Sequence, residues 1–308
     1  MSIGFIFPGQ GSQSVGMLAA LADAHKLVQA TFQEASDALG YDLWQLVQEG
    51  PADKLNSTEI TQPAMLTAGV ATFRVWQEQG GTMPSVMAGH SLGEYTALVC
   101  ADSLNFADAV SLVSVRGKLM QQAVPAGSGA MAAVLGLDDD VVRAVCEEAA
   151  QGEIIEPVNF NSPGQVVVAG NKAAVERATV IAKDKGAKRA VMLPVSVPSH
   201  CSLMKPAAEQ LAEKLTSINI QAPKVSVINN VDVASPTDGD AIRDALTRQL
   251  YQPVRWVEVI EAINGQGVET VIESGPGKVL AGLNKRIVKG MNALAVYDPE
   301  TLTAALSA

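Results

Sequence analysis

The sequence predicts an α/β core domain built from both ends of the chain, with a smaller α+β domain inserted in its middle. Three observations lead to this fold class. Short apolar segments alternate with helical patterns near both ends. Residues 125–129, Pro-Ala-Gly-Ser-Gly, have the composition of a linker. The order of strands and helices changes after that linker. We therefore predict a core of residues 1–125 and 198–308 and an insert of residues 126–197.

The core segments show the apolar runs of buried parallel strands separated by helical patterns. In the first part we predict strands at 3–7 and 85–88, a helix from Leu92 onward and another helix at 105–123. After Pro198 we predict strands at 225–229 and 268–273, the second followed by Gly275-Pro276-Gly277 and a helix.

The insert has its own pattern of six segments. We predict strands at 130–135, 154–160, 165–169 and 189–195, with helices at 138–150 and 172–185. This βαββαβ order is the ferredoxin-like arrangement. About seventy residues are enough for a compact domain. A ligand would then bind in the cleft between the two domains.

Composition and charge exclude several classes of protein. Hydrophobic residues make up 48% of the 308 residues and charged residues 18%, which is typical of a folded domain. The net charge of -10 disfavours a nucleic-acid partner. No apolar run approaches the roughly 20 residues of a membrane span, and the N-terminal residues do not resemble a signal peptide. We expect a cytoplasmic protein with no membrane partner.

The cysteines and histidines are few and scattered. Three cysteines do not make a disulfide framework, and three histidines without a CxxC pair make a metal site improbable on composition. We therefore expect no metal.

Residues 89–93, Gly-His-Ser-Leu-Gly, match the G-x-S-x-G nucleophile elbow between a predicted strand and a predicted helix. The strained turn exposes the Ser91 hydroxyl at a helix N-terminus, where the backbone N–H of Leu92 can donate to an oxyanion. The alternative is a Gly/Ser turn without chemistry. The strand-turn-helix setting favours a nucleophile.

A serine nucleophile needs a base, and His200 is the remaining histidine by elimination. His25 lies in a polar helical stretch. His90 directly precedes Ser91, and because neighbouring side chains on a turn point different ways, we do not expect it to reach the hydroxyl. His200 lies where the chain returns from the insert to the core, at the predicted cleft. Asp232 and Glu273, near late strands, are possible partners for its second nitrogen; a backbone or amide oxygen is the alternative.

Arg116 is the most informative charge. Its helical neighbours Leu112, Val113, Leu119 and Met120 place it on an apolar face. A buried cation requires a partner. That partner is either an internal Asp or Glu or a substrate carboxylate held bidentately near Ser91. We assign Met120, on the same face, to the substrate site with Arg116.

The loop at residues 8–13, Pro-Gly-Gln-Gly-Ser-Gln, contains a Gly-x-Gly but neither G-x-G-x-x-G nor G-K-[S/T]. We therefore prefer a tight loop that presents the Gln10 backbone N–H as a second oxyanion donor over a phosphate-binding loop.

Taken together, these motifs resemble the malonyl-CoA:acyl carrier protein transacylase family, and most closely its stand-alone bacterial members of type II fatty acid synthesis. The resemblance spans nearly the whole chain and rests on residues 8–13, 89–95, 116–117, 159–165, 198–200 and 275–277.

The resemblance implies a hydrolase-like core with a ferredoxin-like insert. It implies that Ser91 takes the malonyl group, that His200 is the base and that Arg116 holds the malonyl carboxylate. The remaining implied roles are oxyanion donors at Gln10 and Leu92, a main-chain carbonyl at Gln249 that orients the histidine, and contacts to coenzyme A at Asn159 and Asn161.

The same resemblance implies the partners. These are malonyl-CoA and acyl carrier protein, with the coenzyme A thioester as a substrate and no cofactor, and we expect a monomer. Ser199, before the histidine, is the small residue of stand-alone members rather than the aromatic residue of malonyl-selective modular enzymes, so selectivity against methylmalonyl is less defined.

An acidic carrier protein requires a basic docking patch on this acidic chain. Two clusters qualify, and ordinary solvated surface is the alternative for each. They are Lys183, Lys185, Lys188 and Arg189, and Lys278, Lys285 and Arg286. The runner-up functions are a serine esterase or thioesterase and, more distantly, a non-enzymatic module that binds carrier protein.

Overall fold

The computed structural model describes residues 2–195 and 197–308. The strands are β1 Ile3–Phe7, β2 Val86–Gly89, β3 Gly129–Leu135, β4 Ile155–Ser162, β5 Gln165–Asn171, β6 Arg189–Met192, β7 Ser226–Ile228, β8 Thr270–Ser274 and β9 Asn292–Val296. The helices are α1 Ala19–Ala24, α2 Lys26–Leu39, α3 Leu43–Glu49, α4 Ala52–Leu55, α5 Thr58–Glu78, α6 Gly93–Cys100, α7 Phe106–Gln122, α8 Asp139–Ala150, α9 Lys172–Asp184, α10 Lys205–Leu215, α11 Gly239–Gln249, α12 Trp256–Gly265, α13 Val279–Ile287 and α14 Pro299–Leu306, with a short 3₁₀ helix at Ser202–Met204.

The larger sheet has the order β7-β2-β1-β8-β9, and all its neighbouring strands are parallel. Its central strand β1, Ile-Gly-Phe-Ile-Phe, is almost wholly apolar because the residues of both faces are buried. The register places Phe7 beside Gly89, so β1 and β2 end together. Ligand sites of open parallel sheets lie outside such carboxyl ends.

The smaller sheet is antiparallel, with the order β4-β5-β3-β6, and α8 and α9 pack on it. β3 and β5, the first and third strands of the βαββαβ unit, occupy the centre of this sheet, as the predicted ferredoxin-like arrangement requires. A separate apolar cluster, which includes Val134, Val142 and Val175, fills the space beneath these helices. The predicted α/β fold class with a small α+β subdomain is therefore confirmed.

Some element boundaries differ from the predictions. The predicted strand 189–195 is shorter, because β6 pairs with β3 only over Arg189–Met192. Strand β9, at the edge of the larger sheet, was not predicted. We propose that the chain leaves the core between residues 125 and 126 and returns between 197 and 198, since the smaller sheet and its helices lie between these positions.

Backbone hydrogen bonds form a seam between β4 of the smaller sheet and the larger domain. Val254, before α12, donates to Val158 and accepts from Phe160 at N···O distances of 2.8 and 3.0 Å. This seam fixes β4 against the larger domain, and a cavity of about 590 Å³ lies between the two. In residues 2–195 and 197–308, no helix has the length and apolarity that crossing a membrane requires.

Candidate active site

Ser91 lies on a sharp turn between β2 and α6 and lines the cavity. Its φ of 52° is in the left-handed region that non-glycine residues rarely adopt. A Cβ at Gly89 would lie 1.8 Å from the Gly93 carbonyl carbon, and one at Gly93 would lie 2.1 Å from the Phe7 carbonyl oxygen. The two glycines are therefore required by close backbone approach, as expected for a nucleophile elbow.

His200 contacts the serine hydroxyl. The distance from Ser91 Oγ to His200 Nε2 is 2.7 Å, and that from His200 Nδ1 to the main-chain oxygen of Gln249 is 2.6 Å. Because a carbonyl oxygen only accepts, Nδ1 carries the proton and the neutral ring presents a bare Nε2 to the hydroxyl. Burial, and secondarily the charge of Arg116, lowers the pKa of His200 to about 3.

The other candidate bases and orienting carboxylates have different partners. Asp232 pairs with Arg248 at 2.7 Å, and Glu273 accepts from the backbone N–H of Ala281 at 2.8 Å. His90 Nε2 lies 2.8 Å from Asn161 Oδ1 on β4, and His25 lies 3.8 Å from Glu78. The orienting partner of His200 is thus a backbone carbonyl, and the two carboxylate alternatives are wrong.

Arg116 is 1% exposed and lies beside the same hydroxyl. Its terminal nitrogens donate to the side-chain oxygens of Gln62 and Gln249 at 2.8 and 3.0 Å, and to Ser91 Oγ at 3.4 Å. Its guanidinium carbon is 5.3 Å from the centroid of the Tyr95 ring. No Asp or Glu of the described residues forms a salt bridge with it, so the alternative of a direct internal carboxylate partner is wrong.

Both residues predicted to donate to an oxyanion belong to the lining of the cavity. Gln10 and Leu92 both line it, and within residues 2–195 and 197–308 neither backbone N–H donates a hydrogen bond to another residue. The loop that contains Gln10 approaches the elbow closely, since a Cβ at Gly9 would lie 2.5 Å from the His90 carbonyl oxygen. Donor groups without a protein partner beside a nucleophile suit a developing oxyanion.

The other predicted substrate residues also line the cavity. These residues are Met120, Asn159, Asn161 and Ser199. The Sδ of Met120 lies 3.4 Å from Gln62 Nε2, so Met120 contacts the same glutamine as Arg116. Gln62, Glu94 and Asn230 contact the site but were not predicted. Only Glu94 carried a sequence signal, because it directly follows the elbow motif.

Both predicted basic clusters are exposed, but their surroundings differ. In the insert cluster, Lys185 forms a salt bridge of 2.9 Å with Glu148. In the cluster on α13, Arg286 donates to Gln165 at 3.0 Å, and the apolar side chain of Val279 is 52% exposed beside Lys278.

In the cleft between the parallel sheet and the antiparallel subdomain, the elbow hydroxyl of Ser91 lies within hydrogen-bond distance of a histidine and beside a buried arginine, an arrangement that suits acyl transfer. The acyl transferase domain family matches residues 4–298, so the chain belongs to this family and, as its relatives show, to its malonyl CoA-acyl carrier protein transacylases.

These relatives cover almost the whole chain. The malonyl CoA-acyl carrier protein transacylase of Escherichia coli K12 is 63% identical over 302 residues, which are 98% of each chain. That of Bacillus subtilis 168 is 46% identical over 305 residues, covering 99% of this chain and 96% of the relative.

Solved structures show the same fold. An acyl carrier protein S-malonyltransferase from Vibrio cholerae is 60% identical with a TM-score of 0.96, and 99% of each chain is covered. A malonyl-transacylase solved in complex with its holo acyl-carrier protein from a type II polyketide synthase is 59% identical with a TM-score of 0.99, covering 100% of this chain and 99% of that one.

Proposed function

We propose that this protein transfers the malonyl group from malonyl-CoA to the phosphopantetheine thiol of acyl carrier protein, through a malonyl ester on Ser91, and so supplies fatty acid synthesis. One observation carries the proposal. The Oγ of Ser91 lies 2.7 Å from a histidine base and 3.4 Å from a buried arginine that can bind a carboxylate. The names of the relatives are consistent with this substrate pair.

The first half-reaction forms the ester. Ser91 Oγ attacks the thioester carbonyl carbon while its proton passes to His200 Nε2, and the oxyanion accepts from the backbone N–H groups of Gln10 and Leu92. The C–S bond then breaks, and His200 returns the proton to the coenzyme A sulfur.

The second half-reaction reverses these steps with a new thiol. The carrier's phosphopantetheine thiol gives its proton to His200 and attacks the ester carbonyl, and Ser91 leaves with that proton. His200 is neutral at physiological pH because burial lowers its pKa, so it is ready to accept a proton in both halves.

Arg116 supplies the preference for a malonyl group in this proposal. Its guanidinium lies beside Ser91, and burial in a low-dielectric site strengthens its attraction to a carboxylate. A malonyl ester held in this way is oriented for the incoming thiol, in a pose that water exploits poorly. Asn159 and Asn161 are proposed to contact the coenzyme A arm, and Met120 and Ser199 to bound the acyl chain.

All the proposed groups come from one chain, which supports a monomer as the working unit. The coenzyme A thioester is a substrate, and the steps above use only side chains and backbone groups of this protein, which is consistent with a reaction that requires no cofactor. We propose that the enzyme works in the cytoplasm.

Intact-mass spectrometry tests the proposal. The protein mixed with malonyl-CoA should show a persistent malonyl adduct that maps to Ser91 and disappears when holo acyl carrier protein is added, with malonyl carrier as the product. Ser91→Ala is the control and should show no adduct. Rapid release of free malonate without an adduct would identify the runner-up, a thioesterase, and failure to bind or react with malonyl-CoA would revive a non-enzymatic carrier-binding module.

A further inference from the structure

Glu94 is a buried carboxylate behind the nucleophile, and the mechanism above does not use it. It lies in the first turn of α6 and is 2% exposed. Its Oε2 accepts two hydrogen bonds, from the backbone N–H of Asn230 at 2.9 Å and from Gln249 Nε2 at 2.8 Å. Burying a carboxylate is costly, so its position behind Ser91 requires a reason.

Gln249 is the residue through which Glu94 reaches the reacting groups. Its main-chain oxygen accepts from His200 Nδ1 and its side-chain oxygen accepts from Arg116. The backbone oxygen is available because Gln249 ends α11, and the last carbonyls of a helix have no partner within the helix. One residue therefore orients both the base and the arginine.

We propose that Glu94 is a positioning residue for the transfer reaction, which acts by fixing the Gln249 side-chain amide between itself and Arg116. The proposal rests on the function proposed above and adds a residue to it.

The physical reason is the polarity of the amide. In the observed orientation the amide N–H faces the acceptor oxygen Oε2 of Glu94, and the amide oxygen faces the Arg116 cation. A flipped amide would set its N–H groups against the guanidinium and its oxygen against the carboxylate, which is unfavourable at both ends. Glu94 thereby selects the orientation in which Arg116 is held by an oxygen.

A second set of contacts ties the same carboxylate to the elbow. Asn230, which donates its backbone N–H to Glu94, accepts from the Ser91 backbone N–H at 2.7 Å and donates to the Gly89 oxygen at 2.7 Å. Gln249 Nε2 also lies 3.0 Å from the Ser91 carbonyl oxygen. The strained turn and its base are therefore ordered by one connected network.

The test is a double-mutant cycle on the full chain with Glu94→Leu, Gln249→Leu and both together. Two rates are measured: malonyl loading of Ser91, and sulfonylation of Ser91 by phenylmethylsulfonyl fluoride, which requires Ser91 and His200 but no malonyl recognition. We expect each single variant to slow both reactions by about tenfold, and the double variant to be no slower than the slower single one. Losses that multiply to about a hundredfold would overturn the proposal, because they would mean that Glu94 does not act through Gln249.

Glu94→Gln tests whether the reaction requires a hydrogen-bond acceptor at residue 94 or its acidic group. Its amide oxygen can accept from both N–H groups, so sulfonylation should return to within a few-fold of the native rate. Glu273→Leu is the matched control, since Glu273 is also a buried glutamate that accepts a backbone N–H but lies outside the site. It should lower thermal stability while leaving the sulfonylation rate unchanged at a temperature where all variants are folded.

The outcomes distinguish this proposal from the proposed function. If the native protein is sulfonylated but never malonylated, the proposed function fails, and the sulfonylation cycle still decides the role of Glu94. If Glu94→Leu, folded by circular dichroism, is sulfonylated and malonylated at native rates, or if Glu94→Gln is as slow as Glu94→Leu, the positioning role is wrong.

Discussion

Two residues of the site have backbone angles that their side chains rarely adopt. Ser91 has a φ of 52° and His200 a φ of 67°. Such strain persists only where the surroundings determine it, and here both residues are held by named contacts: the Ser91 N–H by Asn230 and the His200 N–H by the Leu250 oxygen at 2.9 Å. In these conformations Ser91 Oγ and His200 Nε2, which are 109 positions apart in the chain, lie within hydrogen-bond distance of each other.

Replacing Arg116 tests carboxylate recognition at the residue scale. We expect Arg116→Ala to reduce malonyl loading of Ser91 by roughly 10- to 100-fold, since hydrogen bonds to charged groups contribute about 1.5–3 kcal/mol. Loading from acetyl-CoA, which lacks the carboxylate, should fall much less. Stopped reactions with both thioesters, followed by intact mass, measure the ratio. Undiminished malonyl loading would exclude the carboxylate role.

The pKa of His200 predicts an unusual pH profile. Because burial lowers this pKa to about 3, the imidazole stays neutral well below the ordinary value of 6.5. The rate of Ser91 sulfonylation should therefore not fall between pH 8 and about pH 5 through protonation of His200. The native protein and Glu94→Gln are compared, because burial raises the pKa of Glu94 to about 7. A fall near pH 6.5 in both proteins would contradict the prediction, whereas a fall near pH 7 only in the native protein belongs to Glu94.

At the scale of elements, helix ends supply several groups of the proposed mechanism. The N-terminus of α6 lies behind the nucleophile, and the C-terminus of α11 provides the carbonyl that holds the base. In both cases the groups are backbone N–H or C=O left without partners by the helix itself. The helix α13 shows the same principle in a structural role, because Glu273 on β8 accepts from the Ala281 N–H in its first turn.

Stability should depend on Glu273 in a pH-dependent way. Burial raises its pKa from 4.5 to about 7, so the folded state holds the proton more tightly than the unfolded state. The resulting stability is fully present below pH 4.5 and is lost as pH rises through about 7. The native protein should therefore lose free energy of unfolding relative to Glu273→Gln between these pH values and then level off.

Urea unfolding of both proteins across this range measures the difference. His90 and His200, whose pKa values burial lowers, contribute equally to both proteins and cancel in the comparison. A stability difference that is constant with pH, or that grows in favour of the native protein as pH rises, would contradict the assignment.

At the scale of the whole molecule, the parallel-sheet core and the antiparallel subdomain both line the cavity that contains Ser91 and His200. Backbone hydrogen bonds between Val254 and β4, and the contact of Ser202 with Glu156, join the layers beside His200. The net charge of -10 opposes approach of an acidic carrier protein, so docking requires a local basic surface. The α13 cluster is the better candidate, because Lys185 of the insert cluster is already neutralised by Glu148 and Val279 adds an apolar contact to α13.

Charge reversal distinguishes the two clusters. We expect Lys278→Glu with Lys285→Glu to weaken transfer to acyl carrier protein several-fold, more strongly at low salt, while malonyl loading from malonyl-CoA stays unchanged. Lys183→Glu with Lys188→Glu is the matched control and should have little effect. Steady-state rates with varied carrier protein provide the measurement. Equal losses toward both substrates, or a larger effect of the control pair, would count against docking at α13.

Local patterns in the sequence were enough for most of the elements. The apolar runs of β1 and β2, the glycines of the elbow and the βαββαβ order of the insert reflect backbone and burial requirements that a short segment carries by itself. Edge strand β9 was not predicted, because it is defined by its pairing with β8, which a short local pattern does not reveal. The end of β6 was placed too late because its length depends on where β3 stops pairing with it.

The sequence by itself determined the nucleophile motif, the fold class and, by resemblance, the residues that surround the hydroxyl. Reasoning from the residues left Asp232, Glu273 and a backbone oxygen open as the partner of His200, and only the resemblance implied the Gln249 carbonyl. The tertiary contacts place that carbonyl against His200 Nδ1 and hold Arg116 by two glutamines rather than by a carboxylate. Those contacts join α5, α7 and α11, which are far apart in the chain. No local pattern encodes a hydrogen bond whose two partners are brought together only by packing.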